Sequence, residues 1–112
     1  MAVKSILSFT AFSLFLVATF VAEAASSKNI DKLTTYAVVL GRAAACGGDI
    51  ETPSRRVGAW MDKVFPPGSA DQKTYLPVFM EGMRYHAQQQ ATGKSPDSCS
   101  SVLDTLRGFP WP

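Results

Sequence analysis

Residues 30–48 read IDKLTTYAVVLGRAAACGG, and this stretch decides the fold. Ile30, Leu33, Ala37, Leu40 and Ala44 follow one another at spacings of 3, 4, 3 and 4 residues. That rhythm places all five on one stripe of an α-helix. Ser27 or Asn29 can cap the start, and Asp31 suits the positive end of the helix dipole. Gly47-Gly48 stops the helix, because glycine accepts the left-handed backbone that follows a helix end. The spacing therefore predicts a helix over 29–46 with Cys46 in its last turn.

The same period recurs downstream. Thr52-Pro53 has the form of an N-cap followed by a first-turn proline, and Val57, Trp60, Met61 and Val64 then fall at i, i+3, i+4 and i+7. A second helix is predicted over 53–65, ended by Pro66-Pro67-Gly68, with Arg55, Arg56, Asp62 and Lys63 facing water. Ser69-Ala70-Asp71-Gln72 has capping-box form and opens a third helix. Its stripe is Leu76, Phe79, Met80, Met83 and Ala87, and it closes at Gly93. Pro77 lies inside and should kink this helix or split it near Thr74. Ser95-Pro96-Asp97 repeats the cap signal before a fourth helix over 96–107, with Cys99, Val102, Leu103 and Leu106 on one face. No run shows the strict alternation of a half-buried strand. The expected fold is all-α: a small four-helix bundle or irregular helical array.

Upstream, Lys4 is followed by 18 uncharged residues, Ser5 to Ala22, and then Ala22-Glu23-Ala24. A basic start, an apolar run and a small-residue exit are the three parts of a secretory signal peptide. An 18-residue helix rises ~27 Å, just under the ~30 Å of a bilayer core, so an uncleaved anchor is the alternative. Cleavage after Ala24 is expected, which leaves residues 25–112 as a single helical domain, periplasmic or secreted, with no membrane attachment.

Export sets the redox context. Cys46 and Cys99 are the two cysteines of the chain. In a small exported domain an even count reads as a disulfide. Reactive pairs favour Cys-x-x-Cys spacing, and a zinc site needs more soft ligands than two cysteines and the single His86 supply. A Cys46–Cys99 bond would clamp the end of the first helix to the start of the last.

The whole chain has 112 residues, 46% of them apolar, and a formal net charge of +2. This excludes a large multidomain enzyme, a fibre and a charged disordered tail. With no basic stripe and no stacking platform, nucleic acid is not an expected partner. Catalysis finds little to build on. His86 stands alone on the third helix, no Gly-x-Ser-x-Gly elbow is present, and Ser69, Ser95 and Ser100 read as caps or surface. Asp49 with Glu51, and Asp62 with Glu81, read as solvated faces. Met61, Met80, Met83 and His86 raise haem ligation, but Cys-x-x-Cys-His is missing and methionines at helical spacing fill cores. Gly47-Gly48 and Gly68 lack the Lys-Ser/Thr of a phosphate loop. No catalytic, cofactor-binding or metal-binding residue is assigned, and the protein is not expected to be an enzyme.

Aromatic residues offer more. Trp60 reads as core. Phe109 and Trp111 lie in an aromatic-proline tail that either folds back over the end of the bundle or stays free to dock on a protein partner. The run from Tyr36 to Gly47, Trp60-Met61, the Phe79-x-x-Gly82 step and a second cysteine about fifty residues on together resemble a group of small exported bacterial two-cysteine helical proteins of uncharacterised function. The resemblance implies a helical, disulfide-linked fold and carries no catalytic residues. In architecture alone the chain is also similar to the periplasmic acid-stress chaperones. The expected function is non-enzymatic protein binding. The alternatives are a stress- or acid-responsive holdase, and a small enzyme or cofactor carrier using His86.

Overall fold

The computed structural model describes residues 25–112, so the expected signal peptide at 1–24 lies outside the described residues. Four helices make up the described chain: α1 (Ser27–Ala45), α2 (Glu51–Val64), α3 (Ala70–Ala91) and α4 (Cys99–Gly108). There is no strand among the described residues, and the fold is all-α as the periodicity requires. Also among the described residues, no helix is long and apolar enough to cross a membrane.

α1 is the axis of the assembly, and each of the other three helices packs against it. It can do so because it carries a wide buried stripe, formed by Leu33, Tyr36, Ala37, Leu40, Gly41 and Ala43. α3 lies parallel to it. Ala37 meets Gly82, and Gly41 meets Met83 and Ala87, so contacts advance together along both helices. α4 runs the other way, with Ala43 against Val102 and Leu106 and Tyr36 against Phe109. Phe65, just past α2, is fully buried between the rings of Trp60 and Tyr75. The main core joins Leu33, Leu40, Val57, Met61, Phe65 and Phe79, and a smaller one joins Ala43, Val102 and Leu106.

The close approach of α1 and α3 depends on Gly41. A Cβ there would run into the Met83 carbonyl oxygen and sit 3.1 Å from the Met83 carbon and 3.2 Å from the Ala87 nitrogen. All three are backbone atoms, so a whole helix must move. Gly58 in α2 has open space around its Cβ position. The same substitution should therefore have opposite signs. Gly58→Ala should stabilise the protein by ~0.5–1 kcal/mol through helix propensity, and Gly41→Ala should destabilise it by ~1–3 kcal/mol through overpacking. Urea unfolding of the two variants checks this.

The limits of α1, α2 and α4 depart from expectation. α1 starts two residues early because Ser26, extended at φ −78° and ψ 141°, accepts the Asn29 N–H at 3.1 Å. α2 starts at Glu51 with Ile50 as an N-cap that makes no side-chain cap bond; Asp49 Oδ1 accepts the Glu51 N–H at 3.1 Å, and Pro53 falls inside the first turn, where its missing donor costs nothing. α4 starts later than expected. Ser98 accepts the Ser101 N–H at 3.2 Å, and Asp97, freed from the helix, pairs with Arg42 at 2.9 Å. α3 is not split at Pro77 but runs through it, with the proline exposed and its lost bond on the solvent side. Gly47, at φ 76°, ends α1 as expected, and Gly48 N–H bonds back to Ala43 at 2.9 Å.

Ser69 caps α3 by accepting the Gln72 N–H at 3.1 Å, yet the reciprocal half of the expected capping box is absent. The Gln72 amide instead donates to Asp62 Oδ1 at 2.8 Å and to the Phe65 carbonyl at 3.1 Å, tying α3 to the end of α2. The expected α3 stripe is also only half internal. Phe79 is buried, whereas Leu76 is 42% and Met80 53% exposed. The reason is that α3 packs along its length mainly on α1, and its contacts with the ends of α2 and α4 lie near its own ends, away from Met80.

Candidate functional site

Cys46 and Cys99 are joined, 53 residues apart in sequence and 5.4 Å between Cα atoms. Cys46 is the C-cap of α1 and Cys99 the first residue of α4, so the bond locks two antiparallel helix ends side by side. Around it lies a polar cluster drawn from three segments. Arg42 from α1 donates to Asp97 before α4. Gln90 from α3 donates to the Asp97 carbonyl at 3.0 Å and to Cys99 Sγ at 3.7 Å. Arg42 Nε and Gln90 Oε1 are buried there without a partner.

His86 comes to the same junction on α3. It is half-buried, its ring edge-on to Tyr85 at 5.0 Å, and burial together with the Arg42 charge holds its pKa below the ordinary 6.5. The neutral form is thus favoured in the fold. As pH falls through 6.5 the unfolded chain takes up the proton first, so His86 removes stability on the acid side and restores it above. The slope of folding free energy between pH 7 and pH 5 should be shallower in His86→Gln, as urea midpoints across that window can show.

Packing sends Phe109 and Trp111 back onto the bundle. Both rest on the main core, with Tyr36 centroids 6.1 Å from Phe109 and 5.7 Å from Trp111. The Trp111 indole N–H donates to the Leu106 carbonyl at 3.2 Å. Arg56 of α2 holds the tail backbone, donating to the Trp111 carbonyl at 3.0 Å and to Pro112 at 2.7 Å. Of the two arrangements the sequence left open, the tail takes the folded-back one. Trp60, expected in the core, is partly buried on its border, edge-on to Tyr36 at 5.2 Å. Burial in this aromatic group pushes the Tyr36 phenol above its usual range.

Trp111 is half-buried and forms a wall of a surface groove of about 470 Å³. Its apolar lining is Pro53, Leu103, Leu106 and Trp111, and Asp49 and Arg107 stand exposed at its rim. Gly48 lies at the edge of the groove. A Cβ at 48 would lie 2.8 Å and 2.9 Å from the Cδ2 methyls of Leu103 and Leu106, so a larger residue there would push those two side chains aside. Arg107 is paired with Asp104, one turn back on α4. Smaller cavities include a narrow one of about 30 Å³ beside Arg42 and Val102, and a shallow one of about 280 Å³ between Trp60, Lys63 and Pro112. His86 lines none of the three. α3 also exposes apolar side chains on two opposite flanks, Leu76 with Met80 and Val78 with Tyr85, all 42–58% exposed.

Residues of four segments therefore meet at the groove, and the sequence pointed to one of them, Trp111. Leu103 and Leu106 were legible as a helix face, but their position opposite Pro53 was not. Among the described residues, no three or more His, Cys, Asp and Glu side chains are grouped to hold a metal ion. In class, this is a small all-α protein with one disulfide and an apolar groove at its aromatic end. No protein family, curated protein or solved structure matches the chain.

Proposed function

We propose that the chain is an exported, non-enzymatic protein-binding module. In this reading residues 1–24 are the signal peptide, residues 25–112 act as a single helical domain in the periplasm or outside the cell, and the groove beside Trp111 receives a short apolar segment of a partner protein. The observation that carries the reading is the groove itself. Its volume of about 470 Å³ is enough for a few side chains, its floor is apolar and its rim carries one acidic and one basic residue. Apolar anchors held in a pocket beneath a polar rim are the usual energetic centre of a protein interface. The disulfide supports the choice of compartment, since such bonds persist in oxidising surroundings.

Leu103 is half-buried and lines the groove, so Leu103→Asp places a charge on the floor while leaving Val102 and Leu106 in the core. The wild-type protein should capture a partner from the cell envelope, and that partner, once purified, should bind Leu103→Asp at least about tenfold more weakly by calorimetric titration. Thermal unfolding should show the variant still folded. Equal affinity for a folded Leu103→Asp would rule the groove out as the binding site.

A further inference from the structure

The two sulfurs of the disulfide occupy helix ends of opposite sign. Cys46 caps the C-terminus of α1, the negative end of the helix dipole, which disfavours a negative charge, and it is half-buried. Cys99 is the first residue of α4, where free N–H groups favour one, and it is exposed. Gln90 adds a donor. Its amide is anchored on the Asp97 carbonyl at 3.0 Å and reaches Cys99 Sγ at 3.7 Å. The charged groups nearby do not reverse this asymmetry. Asp97, two residues before Cys99, is neutralised by Arg42 at 2.9 Å, and the same contact turns the Arg42 guanidinium toward Asp97.

We propose that Cys99 is the thiol through which this bond exchanges with other disulfides, and that Cys46 is the resolving thiol. The substrate is a disulfide-bearing oxidant, RS–SR. The Cys99 thiolate attacks one of its sulfurs and expels RS⁻, giving a Cys99–S–SR mixed disulfide. Cys46 then loses its proton and attacks the Cys99 sulfur, which expels the second RS⁻ and closes the Cys46–Cys99 bond. The oxidant gains two electrons and ends as two thiols once the protons from the cysteines are taken up; the protein dithiol is oxidised. The order follows from charge, donor and access at one junction, and does not depend on the groove having a partner.

The test uses the wild-type protein, reduced, freed of reductant and held at 10 °C with its helix content followed by circular dichroism. A short pulse of iodoacetamide at pH 7, followed by peptide mapping, should find Cys99 alkylated roughly threefold or more faster than Cys46. The pH–rate midpoint for Cys99 should fall below the ordinary thiol value of about 8.5, with that for Cys46 at or above it. Equal rates, or a faster Cys46, would overturn the proposal, and so would a reduced chain that has lost its helices and labels both cysteines alike. In a second measurement, Cys46→Ser should form its glutathione adduct faster than Cys99→Ser does when each is mixed with glutathione disulfide. The reverse order would also overturn it.

Discussion

Reduction of the Cys46–Cys99 bond should lower the folding free energy by ~4 kcal/mol, the chain-entropy value for a closed loop of this length. The reasons are specific to this architecture. The bond encloses all of α2 and α3, so cutting it returns most of the described chain's loop entropy to the unfolded state. α4 is also short, at 10 residues, and holds α1 through the two buried side chains Val102 and Leu106 and the aromatic tail. An isolated helix of that length is marginal in water. Urea unfolding with and without dithiothreitol measures the difference. A loss below ~1 kcal/mol would mean that the bundle holds its last helix by packing alone. Since small domains carry ~5–15 kcal/mol in all, the reduced protein should stay folded in the cold and melt well below the oxidised one.

Phe65→Ala should cost a comparable ~3–5 kcal/mol. Phe65 has no exposed surface, and its ring packs 5.3 Å from Tyr75 and 6.1 Å from Trp60. It sits one residue past α2, where its N–H bonds the Met61 carbonyl at 2.8 Å and its own carbonyl accepts from Gln72. The residue thus anchors the corner between α2 and α3 as well as filling the core. Because Pro66-Pro67 fixes the chain direction just after it, the corner cannot easily collapse into the vacated space. Thermal unfolding of the variant at neutral pH gives the magnitude. A small effect would show that the corner relaxes after all.

The contrast between these residues and the sequence pattern shows what the chain made legible. Helical periodicity located all four helices, because burying one stripe of each against a common axis demands it. The partner of Cys46 followed from having a single candidate. Phe65 was missing from the predicted core. It was not named with Val57, Trp60, Met61 and Val64, although its place at i+4 from Met61 and i+8 from Val57 continues the same stripe to the last residue of the predicted helix. Leu76 and Met80 failed in the other direction, since periodicity registers that a side chain lies on a stripe and not whether a neighbouring helix is wide enough to cover it. The caps of α1 and α4 moved because Ser26 and Ser98 compete with Ser27 and Ser95, and at α4 the Arg42–Asp97 pair accompanies the shift.

The groove was the least legible feature. It joins Gly48 at its edge to α4 running antiparallel to α1 and to the tail folded across Tyr36. The last two bring together residues far apart in the sequence, which no local pattern registers. Without the clamp between Cys46 and Cys99, α4 and the aromatic tail are held on α1 by the packing of Val102, Leu106, Phe109 and Trp111 alone.

The most direct test of the clamp is non-reducing peptide mapping of the purified protein by mass spectrometry, combined with thiol titration under denaturing conditions. The account predicts one cross-linked pair of peptides, one containing Cys46 and the other Cys99, and no titratable thiol. Two free thiols per chain, or cysteines linked only between separate chains, would contradict it.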